Sequence, residues 1–330
     1  MHIDTDSFSK RLRSRIIRHQ DRSLLIARLP HSDMAKDRYT RINCSGFGRV
    51  RVFNTYSLHM EALANHAPRP LLRGHPPMFP LRTQVFQLAA CNWRCWYCYV
   101  DDDRLSADTD VAEFLSCDQL VDMFAQEPDR PDVVDLSGGQ PDLAPEWNLW
   151  MMQALERRGL RGQVFLWTDD NLSNRYFWDY LTDDNRAYMS EFPLYSRVGC
   201  FKGFDECSFT FNTGADPERF SAQFDIFQDL LRAKFAMYAY ATFATPTIQD
   251  LDHQMKLFVD RLQRIHPNLP LRTIPLKIHP FTATQMRSTA LHREATHNQI
   301  FAFHAWETEL AKRFSTVELT KPFDEVDLGN

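Results

Sequence analysis

The sequence predicts an α/β fold built on a largely parallel sheet, and three observations carry that expectation. Beyond residue 80, short apolar or alternating runs of strand length give way in turn to longer segments with helical periodicity. Hydrophobic residues make up 44% of the 330-residue chain, enough to bury a substantial core, while 25% are charged. Alternating β and α segments pack as β/α units around parallel strands, and the length suits one barrel-type unit plus an additional segment.

The first 30 residues carry Lys10, Arg11, Arg13, Arg15, Arg18, Arg22 and Arg28 against Asp4, Asp6 and Asp21, and read as a flexible arm or an exposed helix. From about 41 to 80 the pattern is irregular, with Gly46, Gly48 and Gly74 and a passage rich in proline at Pro68, Pro70, Pro76, Pro77 and Pro80. That stretch reads as a short β-containing lead-in ending in an extended linker. Strands are expected at 82–90, 132–137, 163–168, 206–212, 237–245 and 271–279. Helices are expected at about 116–126, where Ser116 and Gln119 stand at capping-box spacing, and at 144–158, 174–190, 217–234, 250–265 and 288–314. The chain thus divides into an N-terminal extension (1–80), a β/α body (81–285) and a C-terminal helical segment (286–330).

The formal charge of −5 gives no overall basic field of the kind that drives nonspecific nucleic-acid binding. Residues 101–147 hold 14 acidic side chains against Arg104 and Arg130, a solvated surface that also argues against a nucleic-acid partner. No run approaches the roughly 18 apolar residues of a membrane span. The first 20 residues are polar, without the apolar core of a secretory signal, so a cytoplasmic protein is expected.

Seven cysteines, an odd number, make a disulfide framework a poor fit, and three of them crowd into eight residues. The segment Cys91-Asn-Trp-Arg-Cys95-Trp-Tyr-Cys98 has C-x3-C-x2-C spacing and directly follows the first expected strand. Three soft thiolates on one loop can hold three corners of an iron–sulfur cube or three positions on zinc. A closed structural or electron-transfer site needs a fourth ligand, whereas three protein ligands leave one metal position open to a substrate or cofactor.

At these residues the sequence resembles the radical S-adenosylmethionine superfamily. The resemblance implies a partial (β/α)6 TIM-like barrel over about 82–285, with an N-terminal extension and a C-terminal helix. It implies that Cys91, Cys95 and Cys98 are the catalytic metal ligands of a [4Fe-4S] cluster whose open iron is chelated by S-adenosylmethionine. In that family, electron transfer from the reduced cluster cleaves the sulfonium to a 5'-deoxyadenosyl radical that abstracts hydrogen. Tyr97, just before the third cysteine, falls where relatives border the adenine.

A second match ends the second expected strand. Ser137-Gly138-Gly139-Gln140-Pro141 looks like the family's Gly-Gly-Glu-Pro element, whose glycine backbone approaches the cofactor's amino group. Gln140 departs from the usual Glu, keeping a carbonyl acceptor but losing the charge.

Further cofactor contacts are expected at Thr168, Asp169 and Asn171 after the third strand, where an ordinary polar loop with a helix cap is the competing reading. Ser208, Thr210 and Asn212 are expected on one face of the fourth strand, pointing inward if that face lines the barrel. Lys277 and His279 lie on the sixth expected strand and read either as substrate contacts or as structural groups. Cys44, Cys117, Cys200 and Cys207 are expected to be buried, unligated thiols.

The chemistry implies a reduced flavodoxin- or ferredoxin-type electron donor. A peptide, protein or small-molecule substrate remains open, with a slight preference for a peptide or protein. Two other readings stand beside this one: a noncatalytic zinc or iron–sulfur protein closed by Cys44 or Cys117, and a degenerate relative suggested by Gln140.

Overall fold

A computed structural model describes residues 2–37, 40–53, 81–279, 281–321 and 325–329; the proline-rich passage expected to be a linker lies outside them. Helix α1 (Thr5–Ile16) is capped by Asp4, whose carboxylate accepts the Ser7 backbone N–H at 3.1 Å. Its inner face buries Leu12 and Ile16. Arg13 donates to the carboxylate of Glu146 and, at 2.9 Å, to the Leu143 carbonyl. The basic N-terminus is therefore a docked helix rather than a free arm.

Strands β1 (Ile17–Arg18) and β2 (Ser23–Ala27) pair antiparallel; β2 also pairs antiparallel with β6, described below. Strand β3 (Arg41–Asn43) pairs antiparallel with β4 (Gly48–Phe53), and β4 with β5 (Leu81–Phe86), so the lead-in contains the expected β structure. Next come β6 (Ala112–Ser116), α2 (Cys117–Gln126), β7 (Val133–Leu136), α3 (Glu146–Arg157), β8 (Phe165–Asp170), α4 (Tyr176–Tyr180), α5 (Asp183–Ser190) and β9 (Tyr195–Phe201). The chain continues through α6 (Glu206–Thr213), α7 (Glu218–Arg232), β10 (Met237–Thr242), α8 (Leu251–Ile265), β11 (Thr273–Leu276), α9 (Thr282–Arg287), α10 (Ala290–Arg313) and α11 (Thr316–Leu319). The expected capping box of α2 forms, Ser116 and Gln119 each bonding the other's backbone.

The main sheet has the order β11-β10-β9-β8-β7-β5-β4-β3. Strands β5, β7, β8, β9, β10 and β11 run parallel in sequence order, the arrangement that repeated β/α units produce. Among the described residues β3 and β11 are the two edges, and the sheet is open.

One face carries the helices. Phe124 of α2, Met152 of α3, Phe227 of α7 and Phe258 of α8 pack with Leu136, Leu166, Phe201 and Ala241 of the strands. Val133, Phe165, Trp167, Val198, Cys200, Tyr238 and Tyr240 gather on the opposite face, in a cluster that contains no helix residue. Among the described residues no helix is long and apolar enough to cross a membrane.

The expected fourth strand is a correction. Residues 206–212 form helix α6, and the strand is β9, upstream. The Cys207 to Asn212 stretch alternates polar and apolar, but Asp205 accepts the Ser208 N–H as a helix cap and Gly214 ends the helix in the left-handed region. Burial of Ser208, Phe209, Asn212 and Thr213 follows helical spacing. Strand β9 was hidden because Ser196, Arg197 and Gly199 interrupt its apolar run. All seven residues are nonetheless buried, Arg197 by pairing with Asp142 and Asp170 on the helix side. The expected helix 174–190 is likewise two helices, with Thr182 capping the second.

Candidate functional site

The loop after β5 carries the three cysteines past the C-terminal ends of the parallel strands. Its backbone is fixed on several sides. Cys91 N–H donates to the Leu105 carbonyl at 3.0 Å, Arg94 N–H to Thr213 at 3.1 Å and Trp96 N–H to Asn212 at 3.2 Å. Cys98 N–H closes a tight turn onto the Cys95 carbonyl at 2.9 Å. The N-terminal helix reaches the same loop: Trp93 Nε1 donates to Thr5 Oγ1 at 3.1 Å, and Asn92 Nδ2 to Ser9 Oγ at 2.8 Å and Ser173 Oγ at 2.7 Å. From the C-terminal side, Thr284 Oγ1 donates to the Tyr97 carbonyl at 3.2 Å and Arg287 donates to the carbonyls of Cys98 and Val100.

Gly138 and Gly139 explain how the second motif seats against the first. Both have positive φ, +83° and +75°. A Cβ at Gly139 would lie 2.4 Å from the carbonyl oxygens of Leu88 and Ala90, and one at Gly138 would meet the Gln87 side chain at 2.7 Å. The two loops can touch only because these residues lack side chains. Gln140 N–H then donates to the Ala90 carbonyl at 2.7 Å.

Gln140 itself is 1% exposed and has a structural task. Its Nε2 donates to Asp170 Oδ1 at 2.8 Å and its Oε1 accepts the Asn171 N–H at 2.9 Å. Asp170 also pairs with Arg197, which serves Asp142 as well. A carboxylate at position 140 would add a third acid to this buried set. Gln rather than Glu is what Asp170 requires, and that accounts for the departure from the Gly-Gly-Glu-Pro pattern.

Cys91, Cys95 and Cys98 are each partly buried free thiols. Burial pushes the Cys95 thiol up to about 12, opposed by the Lys202 cation, and burial also raises Cys98. Lys202, just beyond the end of β9, is buried, which opposes its charge, while the neighbouring Cys200, Tyr97, Cys95 and Asp169 groups push its pKa upward. Asn171 Nδ2 donates to Asn92 Oδ1 at 3.0 Å and reaches Cys91 Sγ at 3.9 Å. Among the described residues no three His, Cys, Asp or Glu side chains are drawn together as a metal-binding set, so loading a metal here requires the thiols to lose protons and converge.

The other expected site residues divide. Tyr97 lies beside the thiols, its hydroxyl 3.0 Å from Thr242 Oγ1 and held protonated by burial. Ser137 donates to Asp169 Oδ2 at 2.5 Å on the face away from the helices, and Pro141 opens a buried short helical turn. Thr168 points to the helix side instead, where its hydroxyl bonds Asn148 Oδ1 at 3.1 Å.

Ser208, Thr210 and Asn212 lie on α6 rather than on an inward strand face. Ser208 Oγ accepts the backbone N–H groups of Phe204 and Asp205, and Asn212 braces the Lys202 and Ala244 carbonyls and Trp96 Nε1. Thr210 Oγ1 is buried without a partner. Lys277 and His279 are exposed.

Cys44 sits beside Glu127, and Cys117 donates to the Trp147 carbonyl at 3.8 Å. Cys200 is buried within electrostatic reach of Lys202, whereas Cys207, expected to be buried, is exposed on α6. Sequence reasoning missed Lys202, Gln87 and Asp135. Placing the fourth strand at 195–201 would have found Lys202; the other two follow from alternation along β5 and β7.

No protein-family model and no curated protein matches the chain. Among solved structures it is similar to Streptococcus suis SuiB bound to precursor peptide SuiA, at TM-score 0.40 and 12% identity over 55% of this chain and 36% of that one. The SuiB complex with S-adenosylmethionine gives TM-score 0.40 and 12% identity over 55% and 37%, and SuiB alone gives 0.38 and 13% over 55% and 36%. The matched part is thus little more than a third of the SuiB chain. A likeness this distant carries no functional conclusion.

Proposed function

We propose that the chain is a radical S-adenosylmethionine enzyme whose catalytic body is a partial (β/α)6 barrel over residues 81–285, extended by residues 1–80 and closed by the helical segment 286–330. The observation that carries the reading is the meeting of two motif loops at the C-terminal strand ends. The three-cysteine loop and the Gly138–Gly139 turn touch there, in the place where parallel α/β sheets bind ligands.

The residues present fit the implied groups. Three thiols supply three iron ligands and no fourth cysteine joins them in the loop, which leaves one position open. Gln87 is fully buried with both amide atoms unpaired, and Asn171 Oδ1 is buried without a donor; both border the cysteine loop. Cys91, Cys95 and Cys98 would hold a [4Fe-4S] cluster, and S-adenosylmethionine would lie against Gly138 and Gly139 with Tyr97, Ser137 and Asp169 at its border. When bound, the pair supplies one-electron cleavage of the sulfonium and hydrogen abstraction from substrate.

The chain's own residues do the holding. Lys202 offsets negative charge gathered at the thiolates. Asn171 orients Cys91, and Arg287 with Thr284 fixes the turn bearing Cys98. Electrons would come from a reduced flavodoxin- or ferredoxin-type donor, and a peptide or protein substrate is preferred.

Anaerobic reconstitution with iron and sulfide tests the reading. About four iron and four sulfide per chain, with an electron paramagnetic resonance signal that changes on adding S-adenosylmethionine, is the expected result. One zinc per chain in a colourless protein would instead support a closed metal site.

A further inference from the structure

The sheet face turned away from the helices carries buried polar groups that the protein leaves unsatisfied. Arg49 on β4 is 2% exposed; it gives Nη2 to the Tyr99 hydroxyl at 2.6 Å, and its Nε has no acceptor. Asp135 on β7 is 3% exposed, and its Oδ1 has no donor. Trp167 Nε1 on β8 and Thr83 Oγ1 on β5 are buried and equally unpartnered.

Register puts these groups together. Arg49 stands opposite Val85, Val85 opposite Asp135, and Asp135 opposite Trp167, so they form one row across four strands, with Thr83 two residues from Val85 on the same face. Well over nine in ten buried polar groups in folded proteins have partners, so three orphans in one row and a fourth beside it need a physical explanation. Asp135 feels Asp169 first and then the Arg51 and Arg49 cations, and Arg49 in turn feels Asp135, yet Arg49 and Asp135 form no ion pair. A cation and a carboxyl kept apart in the interior are each complete only if something between them answers both.

The complement of the row is a group with an anionic acceptor at one end and an N–H donor at the other. Arginine's fork favours a carboxylate, and Asp135 favours the donor. We propose that this row is the substrate subsite of the enzyme and takes an amino-acid unit, free or at the C-terminus of a peptide, with its carboxylate on Arg49 and its nitrogen on Asp135. This rests on the radical S-adenosylmethionine reading for the reaction, but not for the binding.

The test uses the full-length protein without added iron and the smallest such unit, N-acetylglycine, followed by calorimetry and by the fluorescence of buried tryptophan. N-Acetylglycine is expected to bind at least tenfold more tightly than N-acetylglycinamide, which lacks the carboxylate. Arg49→Gln is expected to abolish that preference, Arg49→Lys to keep part of it, and Asp135→Asn to weaken both ligands while keeping it. Glycine supplies the second arm: tighter binding than N-acetylglycine assigns a free amino acid, weaker binding a peptide unit. Circular dichroism confirms that each variant is folded, and Arg49→Lys keeps the test open should Arg49→Gln fail to fold. Equal affinity for N-acetylglycine and its amide, no detectable binding of either, or an unchanged preference in folded Arg49→Gln would overturn the proposal. Failure here leaves cluster assembly and cofactor cleavage untouched, so the two readings fail separately.

Discussion

Replacing Gln140 by Glu restores the residue usual in the Gly-Gly-Glu-Pro element, yet the structure predicts that it harms this protein. Gln140 donates to Asp170 at 2.8 Å, and Asp170 already shares Arg197 with Asp142 in a fully buried cluster. Burial holds the Asp142 carboxyl above the usual range even with Arg197 beside it. A new carboxylate loses the donated hydrogen bond and adds an unpaired buried charge, which together cost about 3–5 kcal/mol. In a chain of 330 residues that lowers Tm by roughly 4–7 °C.

The introduced carboxyl would be pushed above its unfolded value of about 4.3, because its charged form is the disfavoured one in the folded state. Such a group stabilises at low pH and loses that contribution as pH rises through its folded value, so the deficit is largest near pH 8.5 and shrinks toward pH 6. Thermal unfolding of wild type, Gln140→Glu and Gln140→Met at both pH values reads this directly. Gln140→Met loses both hydrogen bonds, to Asp170 and from Asn171, without adding charge, so its deficit stays level with pH. A Gln140→Glu protein as stable as wild type at pH 8.5, or one whose deficit grows as pH falls, would refute the reasoning.

Two further outcomes follow from the same geometry. Gly139→Ala forces a Cβ to 2.4 Å from two carbonyl oxygens at φ +75° and is expected to cost about 2–5 kcal/mol and to depress iron loading, whereas Gly159→Ala, with open space around it, costs only about 1 kcal/mol in denaturant titrations. Asp135 is held well above the usual carboxylate range, by burial first and by Asp169 second; its contribution to stability is therefore present at low pH and lost as pH rises. Asp135→Asn should raise Tm at pH 8 by the equivalent of about 1–3 kcal/mol, with the gain shrinking toward pH 5; a lower Tm at pH 8 would show that the carboxylate is paired in the native protein.

Features signalled by local sequence were legible, and features assembled by tertiary contacts were not. The cysteine spacing and the glycine pair stand on adjacent strand ends because short loops after parallel strands must emerge at one edge of the sheet. The cap of α2 was visible because Ser116 and Gln119 lie three residues apart. Strand β9 was not, since Arg197 reads as a solvent-facing break until Asp142 and Asp170 are seen around it. Losing that strand also lost Lys202, and it transferred the expected inward face to Ser208, Thr210 and Asn212, whose helix is signalled by Asp205 and Gly214. Thr168 was misassigned by one residue of alternation: Asp169 beside it faces Ser137 on the other side of the sheet. Gln140 looked like a weakened cofactor contact because its partner, Asp170, comes from another strand.

The central claim is that three thiolates on one loop would hold a [4Fe-4S] cluster that, once reduced, supplies the electron for cleaving S-adenosylmethionine, and the direct measurement is 5'-deoxyadenosine formed by the reconstituted protein under dithionite. Wild type is predicted to form it, and Cys91→Ala, Cys95→Ala and Cys98→Ala each to abolish it. A loaded wild-type cluster that yields no 5'-deoxyadenosine, or product that persists without Cys95, would contradict the account.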